Sequence, residues 1–265
     1  MEIAHKTTFF RPMECRTFRH VTDEEAKDLL MKGFSPNYKG NPDLDRNRSA
    51  NIPESENCSL FLVGLAPDLT THSLLAGVQG MGRVFATHIN PPEPKNGHHL
   101  SAAKLVFFNR TDAGKFCPFS DLFSAFQLQE LTKTNAENFY NQTKQQGFSL
   151  PSAPQFRAKV FWNRIRSAEE DPTGTKSRVL LISGPPSIVN PVFLTEYFDT
   201  KLIYQTDEII EHGRSEDGSR ALIEFRFGSY RCQAEAARMS LVREFRELGV
   251  LCEYGMCIPF PDSRC

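Results

Sequence analysis

A basic and aromatic run near residue 160 could contact a charged polymer. Arg157, Lys159 and Phe161 share one side of an alternating strand pattern, and Arg164 follows where the strand ends. Guanidinium and ammonium groups pair with phosphate oxygens, and an exposed aromatic ring offers a face for stacking. The run therefore predicts an edge that follows phosphates. The nearby Glu169 also favours the alternative of an ordinary solvated face.

The strand that carries this run belongs to an order of elements that occurs twice. The first copy reads strand, helix, strand, strand, helix, strand over residues 58–166, and the second reads the same way over 178–258. Pro191 marks the first turn of one predicted helix, and Gly80 and Gly82 mark the end of another. This order predicts an α+β fold of two sandwiches. Each has a four-stranded antiparallel sheet backed by two helices.

The first predicted strand also carries a family resemblance. Residues 60–65, Leu-Phe-Leu-Val-Gly-Leu, resemble the strand-1 motif of RNA recognition motif (RRM) domains, with Gly64 in place of asparagine. With the phrases at 87–92, 159–164 and 182–186, the chain resembles tandem RRM proteins of filamentous fungi, a group of unknown role. The resemblance covers roughly residues 58–262. It implies a ferredoxin-like fold and a base of single-stranded RNA stacked on Phe61.

The third predicted strand departs from the RRM pattern. The two positions that stack bases in the family hold Ala102 and Lys104, and alternation places Phe107 in the core. Phe61 and Lys104 leave room for about one base, worth ~1–3 kcal/mol, and one phosphate. The first copy is therefore expected to bind RNA weakly. The expected RNA-binding residues are Phe61, Lys104, Arg157, Lys159, Phe161 and Arg164.

The second copy departs further from the family. Its first strand carries Leu180 at the aromatic position, and its third strand is expected to show Leu222, Glu224 and Arg226 on the open face. A carboxylate there repels phosphate. This copy resembles a pseudo-RRM that contacts proteins, so the competing function is a protein-interaction module in a ribonucleoprotein or regulatory complex.

Charge differs between the segments. The chain of 265 residues has 31 Lys+Arg and 32 Asp+Glu, which argues against a strongly basic nucleic-acid binder. Residues 58–175 carry a net charge of +2, residues 176–265 carry −2, and the first 57 carry −1.

Two residues follow the third strand of the second copy. We interpret Tyr230 as a packing residue and Arg231 as a surface residue.

The remaining segments set the expected boundaries. Residues 1–57 are polar, and Thr22 with Glu25 forms a capping box for one helix that ends at Gly33. That helix either lies on the first domain or docks a protein partner. The expected domains cover 58–168 and 176–262. Residues 117–134 resemble an insertion, because the residues before them are echoed directly after them; it is either an added segment or a retained intron.

Enzyme chemistry is not expected. The sequence has no phosphate-binding loop, no nucleophile elbow and no zinc-protease motif. The seven cysteines are scattered without a C-x-x-C pair, so we expect free thiols, no metal site and no cofactor. No signal peptide or membrane span is predicted, and we expect a nuclear or cytoplasmic protein that is not secreted.

Overall fold

The computed structural model describes residues 22–31, 43–44, 48–79, 81–110, 136–171 and 174–255. A first helix, α1, spans Asp23–Met31. The first unit then contains β1 (Ser59–Leu65), α2 (Thr71–Gly77), β2 (Val84–Asn90), β3 (Ser101–Phe107), α3 (Ala136–Gln146), β4 (Phe148–Leu150) and β5 (Ala153–Trp162). The second unit contains β6 (Val179–Gly184), α4 (Pro191–Lys201), β7 (Thr206–Arg214), β8 (Ala221–Phe227), α5 (Glu235–Phe245) and β9 (Leu251–Tyr254).

The strand order identifies the fold of both units. The first sheet has the order β2-β3-β1-β5-β4 and the second has β7-β8-β6-β9. All strand pairs are antiparallel, and the two helices of each unit follow its first and third strands. This is the split βαβ arrangement of ferredoxin-like folds. The α+β class and the two RRM-like sandwiches expected from the sequence are confirmed.

The first sheet differs from the expectation by one strand. It has five strands, because β4 pairs with β5 through Phe148 with Ala158 and Leu150 with Ala153. Gly147, at φ +74°, turns the chain from α3 into this strand. A strand of three residues is too short to show alternation, so the sequence pattern did not reveal it.

Local capping signals in the sequence mark the starts of three helices. The backbone N–H of Thr22 donates to Glu25 at 3.0 Å ahead of α1. Thr70 and Ser73 form a second capping box at α2, and the Asn190 side chain accepts from the N–H of Phe193 at α4. Helix α2 ends earlier than the expected end near residue 80. It stops at Gly77, because the next N–H groups bond three residues back in a tighter turn.

Alternation assigned the core faces of the first unit correctly. Leu60, Leu62 and Phe107 are buried, and they pack with Phe139 of α3 and Phe148 of β4. Burial of rings of this size supplies much of the apolar surface that stabilises a small sheet-on-helix unit. The predicted insertion at 117–134 and residues 1–21 lie outside the described residues. Among the described residues, no helix is long and apolar enough to span a membrane.

The motif alignment of the second unit was wrong by one residue. Leu180 is completely buried in the second core, and Leu181 lies opposite Glu224 on the other face of the sheet. Leu181 therefore occupies the position that Phe61 has in the first unit. A strand register that slips by one residue exchanges the two faces, and the four apolar residues that begin β6 give no alternation to fix it.

Candidate nucleic-acid interface

Three of the predicted residues form one row across the first sheet. Phe61 in the central strand β1 is the direct Cα partner of Lys104 in β3 on one side and of Phe161 in β5 on the other. The row faces away from the core, because the neighbours of Phe61 in β1 are buried inward. Phe161 keeps 49% of its surface exposed, and Phe61 is half-buried. The two rings thus lie on adjacent strands of one open face.

Basic side chains continue from this row along β5. Lys159 pairs with Val63 in the next row on the same face, and Arg157 follows two residues further. Both side chains are exposed. Gly64, at φ +88°, lies at an irregularity of β1 beside the Arg157 backbone, where a left-handed conformation suits glycine. Cations and aromatic rings thus lie side by side on this face. We call Lys104, Phe61, Phe161, Lys159 and Arg157 the strip.

Arg164 does not join this strip. The N–H of Asn163 donates to the Ser59 carbonyl at 2.9 Å, so Arg164 lies past the end of β5 that is furthest from Arg157. Its side chain is exposed, but it lies outside the strand, whose pairing with β1 ends at Trp162. Five of the six predicted residues lie on the paired strands of the first sheet, and the sixth, Arg164, follows the end of β5.

Two other arginines near the end of β5, Arg110 and Arg166, stabilise the fold. Arg110 stacks over Trp162 at 3.6 Å and donates to the carbonyls of Glu54 and Asn57. Arg166 donates to the carbonyl of Ile52. These bonds hold the segment before β1 against the first sheet, so the two guanidinium groups are already engaged.

The second unit covers part of the open face. Cys58, Phe85, Val106 and Phe108 of the first unit pack with Tyr230 of the second; we call these five residues the interunit cluster. The Tyr230 ring centroid lies 5.8 Å from that of Phe85 and 5.7 Å from that of Phe108. Val106 shares the open face with Lys104, two residues away. The β2–β3 half of the face is therefore partly occupied by protein, while in the part of the chain that the structure describes Phe161 on the β1–β5 half stays 49% exposed.

Hydrogen bonds close the edge of the first sheet against the second unit. The N–H of Thr87 in edge strand β2 donates to the Ser229 hydroxyl at 3.1 Å, and that hydroxyl donates to the Thr87 carbonyl at 3.2 Å. The Thr87 hydroxyl donates to the Gly228 carbonyl at 2.9 Å. At Gly228 an added Cβ would come within 3.1 Å of Thr71, so glycine permits the close approach. The backbone N–H and carbonyl of Thr87, which an edge strand would otherwise leave unpaired, thus have hydrogen-bond partners in the second unit.

Arg231 is a basic residue beside the strip that sequence reasoning did not include. It is exposed. Burial of Lys104 lowers the pKa of that lysine, and the positive charge of Arg231 lowers it further. Lys104 itself is half-buried. No sequence signal could have placed Arg231 here, since its position depends on how the second unit packs against the first.

The open face of the second sheet has a different character. Glu224 is 4% exposed and accepts from Arg226 Nε at 2.6 Å, and its other oxygen lies 3.0 Å from His212 Nε2. Arg226 also donates to Glu208 at 3.0 Å, so its charge is balanced by two carboxylates. The exposed apolar residues of this face include Leu222, 38% exposed, and Leu251, 57% exposed. The face offers apolar surface and paired charges, with no aromatic ring in its central row.

Metal chemistry has no matching arrangement in the part of the chain that the structure describes. No group of three or more His, Cys, Asp or Glu side chains there could hold a metal ion. Cys58 and Cys252 are buried free thiols, and burial raises the pKa of each to about 12. A high thiol pKa disfavours the thiolate that metals and electrophiles require.

Comparison with known proteins returns similarities in structure alone. No protein-family model matches the sequence, and no curated protein matches it. Sex-lethal RNA recognition domains 1 and 2 from Drosophila melanogaster align with 75% of this chain and 100% of their own, at 15% identity and a TM-score of 0.23. The first two RRM domains of yeast poly(U) binding protein align with 75% of this chain and 99% of theirs, at 15% identity and 0.24. The N-terminal three RNA binding domains of yeast splicing factor Prp24 align over 75% and 64%, at 10% identity and 0.28. Similarity at these TM-scores adds nothing on function, and the fold assignment rests on the strand order of each sheet.

Proposed function

We propose that this chain is an RNA-binding protein, whose first unit binds single-stranded RNA weakly across its open face. The observation that carries the proposal is the direct pairing of Phe61 with Phe161 and Lys104 across three adjacent strands. Flat aromatic rings on a sheet provide stacking surfaces for unpaired bases. Lys159 and Arg157 continue the strip as exposed cations suited to the phosphates of the same strand.

The strip limits the affinity as well as enabling it. Two rings hold about two bases, each worth ~1–3 kcal/mol, and they make no pattern of hydrogen bonds to base edges. The second unit also reduces the area of the open face available to bases, because Tyr230 of the interunit cluster covers Val106 in β3. We therefore expect a short site with little sequence preference and a strong dependence on salt.

The test is binding of a fluorescein-labelled pool of short random RNAs, measured by anisotropy at about 50 mM and about 200 mM salt. We expect Phe61→Ala to weaken binding by ~1–3 kcal/mol, the loss of one base stack. Leu251→Ala is the matched control, because it truncates an exposed apolar residue on the second sheet. Equal binding by the wild type and Phe61→Ala would exclude stacking on the first sheet.

A second candidate function is protein binding through the second unit. The observation in its favour is the exposure of Leu222 and Leu251 around Ser183 on a face whose charges are internally paired. Residues 1–57 are the other candidate for such a contact. Pull-down with Leu251→Glu and with a chain lacking residues 1–57 distinguishes the two. A partner that both variants retain would contradict this candidate.

The remaining expectations form part of the proposal. We assign the domains to residues 58–168 and 176–262, each centred on one of the two sheets. We propose that the protein acts by binding, without enzyme activity or a cofactor, in the nucleus or the cytoplasm. Microscopy of the tagged chain, and limited proteolysis with mapped cleavage sites, test the location and the boundaries.

A further inference from the structure

We propose that Arg231 of the second unit and Lys104 of the first together bind one phosphate group of the RNA strand, so that the nucleic-acid site spans both units. This inference rests on the proposed RNA binding, and extends it to a named phosphate subsite. The subsite would take a phosphodiester that follows the base stacked on Phe61, since Lys104 is the direct cross-strand neighbour of Phe61.

The packing of the units places the segment that carries Arg231 against the sheet face that carries Lys104. Tyr230 is 4% exposed in the interunit cluster, where it contacts the face that carries Val106. Val106 and Lys104 are alternate residues of β3, so their side chains stand on the same face about 7 Å apart along the strand. Arg231 directly follows Tyr230 and is exposed. Because Tyr230 is anchored, the backbone of Arg231 is held at the edge of the open face that carries Phe61 and Lys104.

The backbone of this segment is fixed on both sides of Arg231. Ser229 donates its N–H to the Gln233 side chain at 3.1 Å, and the Tyr230 hydroxyl donates to Glu235 at 2.8 Å. Between them, Cys232 adopts φ +62°, a left-handed conformation that is strained for a residue with a side chain. Arg231 itself is extended, at φ −67° and ψ 133°. Strained backbone positions cluster at active sites and ligand sites, and the bonds of Ser229 and Tyr230 fix the backbone from which Arg231 extends.

Among the described residues, Lys104 and Arg231 differ from two cations near the junction of the units, which pair with carboxylates. Arg178 pairs with Asp207 at 2.6 Å, and Arg83 pairs with Asp171 at 2.9 Å. Across the described ranges, no ion pair joins Lys104 or Arg231 to a carboxylate. Two cations that approach each other on a half-buried surface repel, and a bound anion relieves that repulsion. A phosphate has both the charge and the several acceptor oxygens required.

The experiment uses the full chain and the labelled pool of short random RNAs. We expect Arg231→Gln to weaken binding roughly threefold to tenfold at about 50 mM salt. We also expect it to lower the slope of log affinity against log salt by about 0.7, the value for one phosphate of a single strand. Arg231→Lys should restore most of the slope. Arg243→Gln, an exposed arginine on α5, is the matched control and should change neither quantity.

A double-mutant cycle tests whether the two cations share a phosphate. We expect Lys104→Gln with Arg231→Gln to weaken binding by less than the product of the single effects, since each residue acts through the same group. Effects that multiply would contradict the shared subsite.

Failure of this inference differs from failure of the proposed function. If Phe61→Ala weakens binding while Arg231→Gln matches the wild type in affinity and slope, the composite subsite is wrong and the stacking site stands. If the wild type binds no RNA, both are wrong. Thermal unfolding of each variant, with an unchanged midpoint, assigns the effects to contacts with RNA.

Discussion

At the scale of single residues, the face of the sheet decides what a side chain does. Phe107 and Phe161 are both strand phenylalanines, yet the first is 1% exposed in the core and the second is 49% exposed on the open face. Glu224, expected to repel phosphate, is instead buried against Arg226 and His212. The carboxylate of Glu224 therefore interacts with side chains of the second unit.

Thiol reactivity gives a prediction at this scale. Burial raises the pKa of Cys58 and Cys252 to about 12, with Glu169 adding to the effect at Cys58 and Glu253 at Cys252. The thiolate is the reactive form, and its fraction stays very small up to about pH 10 when the pKa is this high. We expect iodoacetamide to label the half-exposed Cys232 of the native protein well before either buried thiol. Mass spectrometry of the digested peptides measures this, with urea-unfolded protein as the control in which the three label alike.

At the scale of elements, strand β2 shows how an edge is protected. Its Thr87 N–H and carbonyl both bond to the Ser229 hydroxyl, which lies on the segment after β8. One hydroxyl thus completes the hydrogen bonding of an edge residue that would otherwise be buried unpaired.

Removing that hydroxyl should be costly. We expect Ser229→Ala to lower the free energy of unfolding by about 1–3 kcal/mol, because two buried backbone groups lose their partner. Ser240→Ala is the control, since the Ser240 hydroxyl donates to the Ala237 carbonyl within its own helix α5 and holds no backbone group of a strand edge. Urea unfolding of both variants checks this prediction. A Ser229→Ala protein as stable as the Ser240→Ala protein would contradict it.

At the scale of the whole molecule, the two units are joined by packing and by hydrogen bonds. Asp207 lies 2.9 Å from His72 of α2 and 2.6 Å from Arg178, and the interunit cluster lies nearby. An interface with buried rings and hydrogen bonds couples the stability of the units to each other.

The unfolding of the intact chain tests this coupling. The chain has a single tryptophan, Trp162, at the end of β5, so its fluorescence follows the first unit, while far-ultraviolet circular dichroism follows both. We expect the two signals to give coincident urea transitions in the wild type. We expect Tyr230→Ala to separate them, because it removes the ring that fills the interunit cluster at a cost of about 3 kcal/mol. Coincident transitions in that variant would show that the units are coupled elsewhere.

The sequence by itself determined the units and most of their faces. Alternation in β5 separated Arg157, Lys159 and Phe161 from the core, and capping residues marked the helix starts, because both signals are local in the chain. The short strand β4 and the register of β6 were missed, since three residues or an all-apolar run carry no periodicity. Only the tertiary structure decided that Tyr230 packs against Val106 on the open face of the first sheet, which brings the next residue, Arg231, to the side of the face that carries Lys104. More than one hundred residues separate these partners in sequence, and their proximity comes from packing between units, which no local pattern encodes.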